Sequence, residues 1–274
     1  MSAAVQTTTR TRRLVALDID GTVMHENGVI GDAVSSEIQR VVALGDEVML
    51  ATGRSPGSTV PVLDRLGIAP EYLVCCNGAV TLRRDASGAY VNDVVETFDP
   101  TSVLTNIRSF LPDALYAVED EHGTFYYTEE FPGGAISGLE SQRVPFEELL
   151  GRLSTRVVVI SPGTDMDEFL GLVEKMGLHQ VSYAIGWTAW LDIAPEGVNK
   201  STALEQIRVR LGIEREDVLA FGDGRNDIEM LQWAAASGRG YAMGQAPDEV
   251  RAVASAVVPS VDEDGVATVL AQLA

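Results

Sequence analysis

Leu14-Val15-Ala16-Leu17-Asp18-Ile19-Asp20-Gly21-Thr22 begins as a buried strand and ends in polar chemistry. A continuous apolar run of this length suits a strand covered on both faces. Alternate residues of a strand share a face, so Asp18 and Asp20 can point the same way. Two carboxylates that close repel unless a cation or a shared proton intervenes. Mg²⁺ resolves the repulsion, because it prefers carboxylate oxygens and substrate phosphates. One carboxylate is then placed to act as nucleophile and the other as general acid and base. A strand-end turn, where Asp and Gly are common for conformational reasons, is the competing reading of the same string. Segments further along the chain decide between them.

Working outward, Val34, Ile38, Val41 and Val42 recur at helical spacing, and Gly45 supplies a stop. Val48-Met49-Leu50-Ala51-Thr52 is a second buried strand. Ser55-Pro56 starts a helix that ends near Gly67, and Tyr72 to Cys76 is a third strand before an Asn77-Gly78 turn. Strand and helix alternating in this way imply a parallel sheet with right-handed crossovers. Residues 79–98 read as a hairpin around Asp85-Ala86-Ser87-Gly88. From 99 to 188 the pattern mixes helices (101–111, 145–153, 165–176) with strands (114–119, 124–128, 155–160, 180–186), as expected of an inserted α+β module. The first pattern resumes at Leu191-Asp192-Ile193-Ala194, with helix 200–211, strand 218–221, helix 227–236 and short strands at 241–243 and 256–258. The expected division is a tail over 1–12, a core over 13–83 and 190–274, and an insert over 84–189.

Open parallel sheets bind ligands beyond the carboxyl ends of their strands, and these strand ends carry matching chemistry. Thr52 offers a hydroxyl and Gly53 a close backbone N–H to a phosphate oxygen, with Arg54 next. Lys200 opens a helix, where a cation opposes the dipole unless an anion lies beside it. It is suited to neutralise a transferring phosphoryl group and Asp18. Gly222-Asp223-Gly224-Arg225-Asn226-Asp227 brings two more carboxylates to a strand end, the second half of a Mg²⁺ site. Each segment alone has an ordinary explanation as a capped turn or a solvated lysine; four in one order do not.

The D-x-D-G-T string, the T-G-R turn, the lysine and G-D-x-x-N-D, in that order, resemble the haloacid dehalogenase superfamily of phosphohydrolases. The insert between the threonine and lysine segments resembles its C2-type cap. Cys76-Asn77-Gly78-Ala79 and Leu191-Asp192-Ile193-Ala194-Pro195-Glu196-Gly197-Val198-Asn199-Lys200 are similar to the Cof-type, class IIB branch, although Ser201 stands where that branch often has glycine. The resemblance runs from residue 13 onward. It implies an α/β fold, a Rossmann-like parallel-sheet core with an inserted α+β cap domain. It implies that Asp18 attacks phosphorus and that Asp20 protonates the leaving alcohol and then activates water. Mg²⁺ is held by Asp18, the Asp20 backbone carbonyl and Asp223, with Asp227 orienting the metal shell, while Thr52, Gly53, Asn226 and Lys200 hold phosphoryl oxygens. The expected activity is a Mg²⁺-dependent phosphatase of small phosphorylated metabolites, sugar phosphates first. A phosphomutase or phosphotransferase, a flavin or pyridoxal phosphate phosphatase, and a non-catalytic phospho-acceptor stand behind it.

Composition bounds the partners. Of 274 residues 46% are hydrophobic and 6% aromatic, which suits an aliphatic α/β core. Twenty basic against forty acidic residues give a net charge of −20, which argues against nucleic acid. The same charge repels an anionic substrate at long range, so local cations must dominate at a phosphate site. Cys75 and Cys76 are adjacent and ill placed for a disulfide, in keeping with a reducing cytoplasm. Met1 to Arg13 reads as a disordered basic tail, and no apolar run is long enough to span a membrane. A monomer or homodimer is expected. His179, Tyr183, Trp187 and Trp190 are the insert's candidates for substrate contact, and Glu119-Asp120-Glu121-His122 reads as a solvated hairpin turn.

Overall fold

The computed structural model describes residues 11–132, 140–178, 181–185 (backbone only) and 189–274. Its first sheet is built from β1 (Leu14–Leu17), β2 (Glu47–Leu50), β12 (Val218–Gly222), β13 (Arg239–Ala242) and β14 (Ala256–Val257), in the order β14-β13-β12-β1-β2. All four pairings are parallel. A single parallel bridge, Ala51 to Val74, joins β3 (Tyr72–Cys75) to the free side of β2. β4 (Val80–Arg84) and β5 (Tyr90–Val95) then pair antiparallel on β3, so the expected hairpin is a three-stranded extension.

β1, β12 and the Val48–Leu50 part of β2 read as unbroken apolar runs because both faces are covered. On one face Val15, Leu17, Val48, Leu50 and Phe221 pack against α1 (Asp32–Ala43), α2 (Pro56–Leu66) and α8 (Gly265–Leu270). On the other, Leu14, Ala16, Met49 and Ala220 meet α5 (Lys200–Leu211) and α6 (Ile228–Ala235). The chain builds outward from β1 to β2 and β3, then returns to lay β12, β13 and β14 on β1's other side. That reversal makes the carboxyl end of β1 a topological switch point, the place where such sheets open a crevice.

A six-stranded sheet lies between these halves of the chain. It contains β6 (Leu115–Asp120), β7 (Phe125–Tyr127), β8 (Ser141–Arg143), β9 (Ser154–Ile160), β10 (Val181–Ile185) and β11 (Trp190–Pro195), in the order β10-β11-β9-β6-β7-β8. Only β7 and β8 run parallel. α3 (Thr101–Phe110) and α4 (Met166–Met176) cover one face, burying Tyr116, Val118, Val157, Val159, Leu191 and Ile193. The alternate residues, among them Glu119, Arg156, Trp190 and Asp192, share the opposite face.

Two local expectations differ from the structure. Residues 145–153 form only a 3₁₀ turn over Phe146–Glu148, because Pro145 precedes it and Gly151 follows with a left-handed φ of 72°. Leu191–Ala194 does not resume the parallel sheet. It belongs to β11, paired antiparallel with β9 and β10, since an apolar run does not say which sheet it joins. The chain re-enters the parallel sheet at β12. Two short helices, α7 (Asp248–Arg251) and α8, had no clear periodic signal at their lengths of 4 and 6 residues. Residues 1–10 of the expected tail, and His179 and Trp187, lie outside the described residues, as does the side chain of Tyr183.

Candidate active site

The carboxyl ends of β1, β2 and β12 deliver Asp18, Thr52 and Asp223 to one crevice. After β1 the backbone N–H groups of Thr22, Val23 and Met24 all turn back to the Ile19 carbonyl. Gly21 sits at φ 78°, a conformation glycine adopts without penalty. A Cβ there would lie 2.2 Å from an Asp223 carboxylate oxygen, so the tight turn and the close approach both require glycine. Asp223 lies just beyond β12 and accepts a hydrogen bond from the Thr22 hydroxyl at 3.3 Å.

Carboxylate oxygens of Asp18, Asp223 and Asp227 lie within 4.8 Å of one another, and all three residues are buried. Among the described residues one cation hydrogen-bonds into this set. The Lys200 ammonium, fully buried at the first turn of α5, donates to Asp18 Oδ1 at 2.6 Å and to Asp227 Oδ1 at 2.7 Å. The other Asp227 oxygen accepts the backbone N–H groups of Asp223 and Gly224, both at 3.0 Å. Asp227 is therefore committed to holding the loop and the lysine. Asp18 Oδ2 receives no donor among the described residues.

Three buried acids around one lysine leave excess negative charge. Burial first, then Asp227, raises the Asp18 pKa well above the carboxylate range, and Lys200 only partly offsets them. Burial and Asp227 push Asp223 up to about 7. Burial opposes the Lys200 charge, but Asp18 and Asp227 outweigh it and hold the ammonium protonated. A hard divalent cation fits this set: the donors are all oxygen, closely spaced and short of positive charge.

Asp20 faces elsewhere. Its half-exposed carboxylate takes a two-pronged ion pair from Arg54, with Nε at 2.7 Å and Nη2 at 2.5 Å. Its side chain is not part of the acidic cluster, so any metal role falls to its backbone carbonyl. Thr52, Gly53 and Asn226 line a cleft of about 520 Å³ together with Asp18, Asp20 and Asp223. Lys200 does not line it; it lies beneath, against the carboxylates. The cleft is also walled by Arg54, Ser58, Arg156, Trp190 and Asp192.

Several of these residues were not singled out by the sequence reading. Arg54 was quoted in its turn without a role. Asn77, at φ 51°, donates to Asp192 at 3.1 Å and accepts from Asn226 at 3.0 Å. Glu119 belongs to no solvated turn: it is 1% exposed and paired with Arg156, its cross-strand neighbour, at 2.7 Å. The hairpin turn begins one residue later, at Asp120. A charged residue ending an apolar strand was the available signal, but only register gives it a partner. Of the insert's candidates, Trp190 reaches the cleft, with its ring edge-on to Phe131.

Comparison with known proteins identifies the family. The profile of the haloacid dehalogenase-like hydrolases matches residues 15–270, and the chain belongs to that family. A 5-amino-6-(5-phospho-D-ribitylamino)uracil phosphatase, YitU of Bacillus subtilis (strain 168), is 27% identical over 269 residues, spanning 94% of this chain and 96% of the other. An HMP-PP phosphatase of Yersinia pseudotuberculosis is 26% identical over 245 residues, 87% of this chain and 86% of its own. Among solved structures, a haloacid dehalogenase subclass IIB sugar phosphatase superposes with a TM-score of 0.77 at 21% identity, covering 94% of this chain and 98% of that one. The chain is thus an enzyme of the haloacid dehalogenase phosphatase type. No helix among the described residues is long and apolar enough to cross a membrane.

Proposed function

We propose that the protein hydrolyses small phosphorylated metabolites with Mg²⁺, through an aspartyl-phosphate on Asp18. The observation that carries this reading is the buried Asp18–Asp223–Asp227 cluster on one lysine, at the switch point of the sheet. Asp18 and Asp223, with the Asp20 carbonyl, would hold Mg²⁺, which when bound neutralises phosphoryl charge and screens the approach of an anion to a chain of net charge −20. Lys200 fixes one Asp18 oxygen and so presents the other, Oδ2, toward the cleft. Attack by that oxygen on phosphorus transfers the phosphoryl group to Asp18 and releases an alkoxide. Asp20 supplies the alkoxide's proton. A water then attacks the aspartyl-phosphate, giving its proton back to Asp20, so that phosphate and the free carboxylate return. The Thr52 hydroxyl, the Gly53 N–H and the Asn226 amide are the neutral donors for the phosphoryl oxygens.

In this reading the six-stranded sheet is the cap. Its face opposite α3 and α4 forms the leaving-group wall, and Trp190 offers ring surface there. Relatives that act on a ribitylaminouracil phosphate or on HMP-PP support testing ring-bearing and polyol phosphates beside sugar phosphates. The test is phosphate release over such a panel, with and without Mg²⁺, for the wild type and Asp18→Asn. Release that needs Mg²⁺ and vanishes in the folded variant is expected. Equal release by Asp18→Asn would refute the nucleophile, and no release from any phosphate ester would end the phosphatase reading.

A further inference from the structure

Thr52, Gly53 and Arg54 present three consecutive carbonyls, and each is held from behind. The Thr52 carbonyl accepts from the Asn77 N–H at 3.0 Å, and the Arg54 carbonyl from the Cys76 N–H at 2.9 Å. Both donors belong to the turn after β3. The middle carbonyl, that of Gly53, is held by Arg156 Nη1 at 2.5 Å, a side chain from β9 of the six-stranded sheet. With the carbonyls drawn back, the Gly53 N–H has no acceptor among the described residues.

The Gly53 carbonyl and the Arg54 N–H belong to one planar peptide unit, so fixing one fixes the other. The Arg54 N–H donates to Thr52 Oγ1 at 3.1 Å. A hydroxyl whose oxygen already accepts there has its proton left to give elsewhere, and Thr52 lines the cleft. Arg156 itself is immobilised. Its Nε donates to Glu119 at 2.7 Å, Nη2 to Ser55 Oγ at 2.9 Å, and Nη1 also to Asp192 at 3.3 Å. Ser55, in turn, donates to Glu119 at 2.8 Å. Glu119, Arg156 and Asp192 come from three adjacent strands of one sheet, whereas Gly53 and Ser55 come from the loop between β2 and α2.

We infer that Arg156 is a positioning residue that holds the Thr52–Arg54 loop in its phosphate-receiving form and makes that form depend on the seating of the six-stranded sheet. The inference rests on the phosphatase reading for the identity of the anion and goes beyond it, since the role it gives Arg156, whose nitrogens are bonded to Glu119, Gly53, Asp192 and Ser55, runs through the Gly53 carbonyl. A lysine cannot replace it, because one ammonium cannot span Glu119, Ser55, Asp192 and the Gly53 carbonyl in this fork.

The test is calorimetric binding of inorganic phosphate at saturating Mg²⁺, beside Mg²⁺ binding alone, for the wild type, Arg156→Met and Glu119→Gln. Arg156→Met is expected to weaken phosphate by about tenfold or more while Mg²⁺ affinity stays within about twofold. Glu119→Gln is expected to move phosphate affinity the same way by less, and it decides on the same two affinities if Arg156→Met does not fold. Unchanged phosphate affinity overturns the inference. So does a parallel loss of both affinities, the mark of general loosening. The phosphatase reading is judged separately, by turnover of the wild type over Asp18→Asn: a protein that binds phosphate through this loop without hydrolysing esters sinks that reading and leaves the inference standing.

Discussion

The Lys200 ammonium lies 2.6 Å from Asp18 and 2.7 Å from Asp227, sealed from solvent at 0% exposure. Among the described residues it is the cation that ion-pairs with this set of buried acids, so its removal strands their charge. Lys200→Met should cost roughly 3–5 kcal/mol of stability, the range seen when one partner of a buried ion pair is deleted. Urea unfolding followed by circular dichroism measures this. Added Mg²⁺ should restore part of the loss; a variant as stable as the wild type without metal would show that the pair carries no such weight.

Asp18 and Asp223 predict a pH dependence with a definite sign. Their folded pKa values are raised, Asp223 to about 7, so the folded chain binds more protons than the unfolded one between the ordinary carboxylate range and about 7. Stability from these groups is therefore present at low pH and is lost as pH rises through that window. Lys200 stays charged throughout it and cancels out of the comparison. A bound divalent cation reverses the loss by favouring the ionised carboxylates. The rise in melting temperature on adding Mg²⁺ should thus be larger at pH 7.5 than at pH 5 (assay values on either side of the window). Asp223→Asn should flatten that difference, and an increment independent of pH in the wild type would contradict the assignment.

Asp20 stands clear of the acidic cluster and is clamped by Arg54. An acid that only protonates the leaving group matters most when that group is a poor one. Asp20→Asn should lower kcat by roughly 10²–10⁴ on alkyl phosphates, and by clearly less on p-nitrophenyl phosphate, whose phenolate leaves unaided. Equal losses on both substrates would move Asp20 from proton transfer to positioning.

Gly21→Ala combines a left-handed φ with a Cβ driven into the Asp223 carboxylate. The backbone strain alone costs about 1 kcal/mol. Displacing Asp223 should in addition weaken Mg²⁺ binding by about tenfold or more, read by calorimetry. Mg²⁺ affinity equal to the wild type's would mean that the carboxylate yields freely.

The strand ends were legible because each carries a local signature: an apolar run stopped by Asp18, by Thr52 before Gly53, or by Gly222 before Asp223. The Glu119–Arg156–Asp192 bridge was not. Its members are separated by 37 and 36 residues and sit in three different strands, and only Asp192 has apolar neighbours on both sides in sequence. Nothing in Val157-Val158-Val159 says which face Arg156 takes, and β11 was assigned to the wrong sheet for the same reason.

By itself, then, the order of residues determined a parallel α/β sheet, an inserted α+β segment and the identity of the acids at its strand ends, because strand periodicity and turn chemistry are short-range. Only the tertiary structure decided that Lys200 lies under the acids and not over the cleft, that Asp20 turns to Arg54, and that an arginine from the second sheet grips the Gly53 carbonyl. Those are pairings across dozens of residues, fixed by sheet register and burial, and no local pattern encodes them.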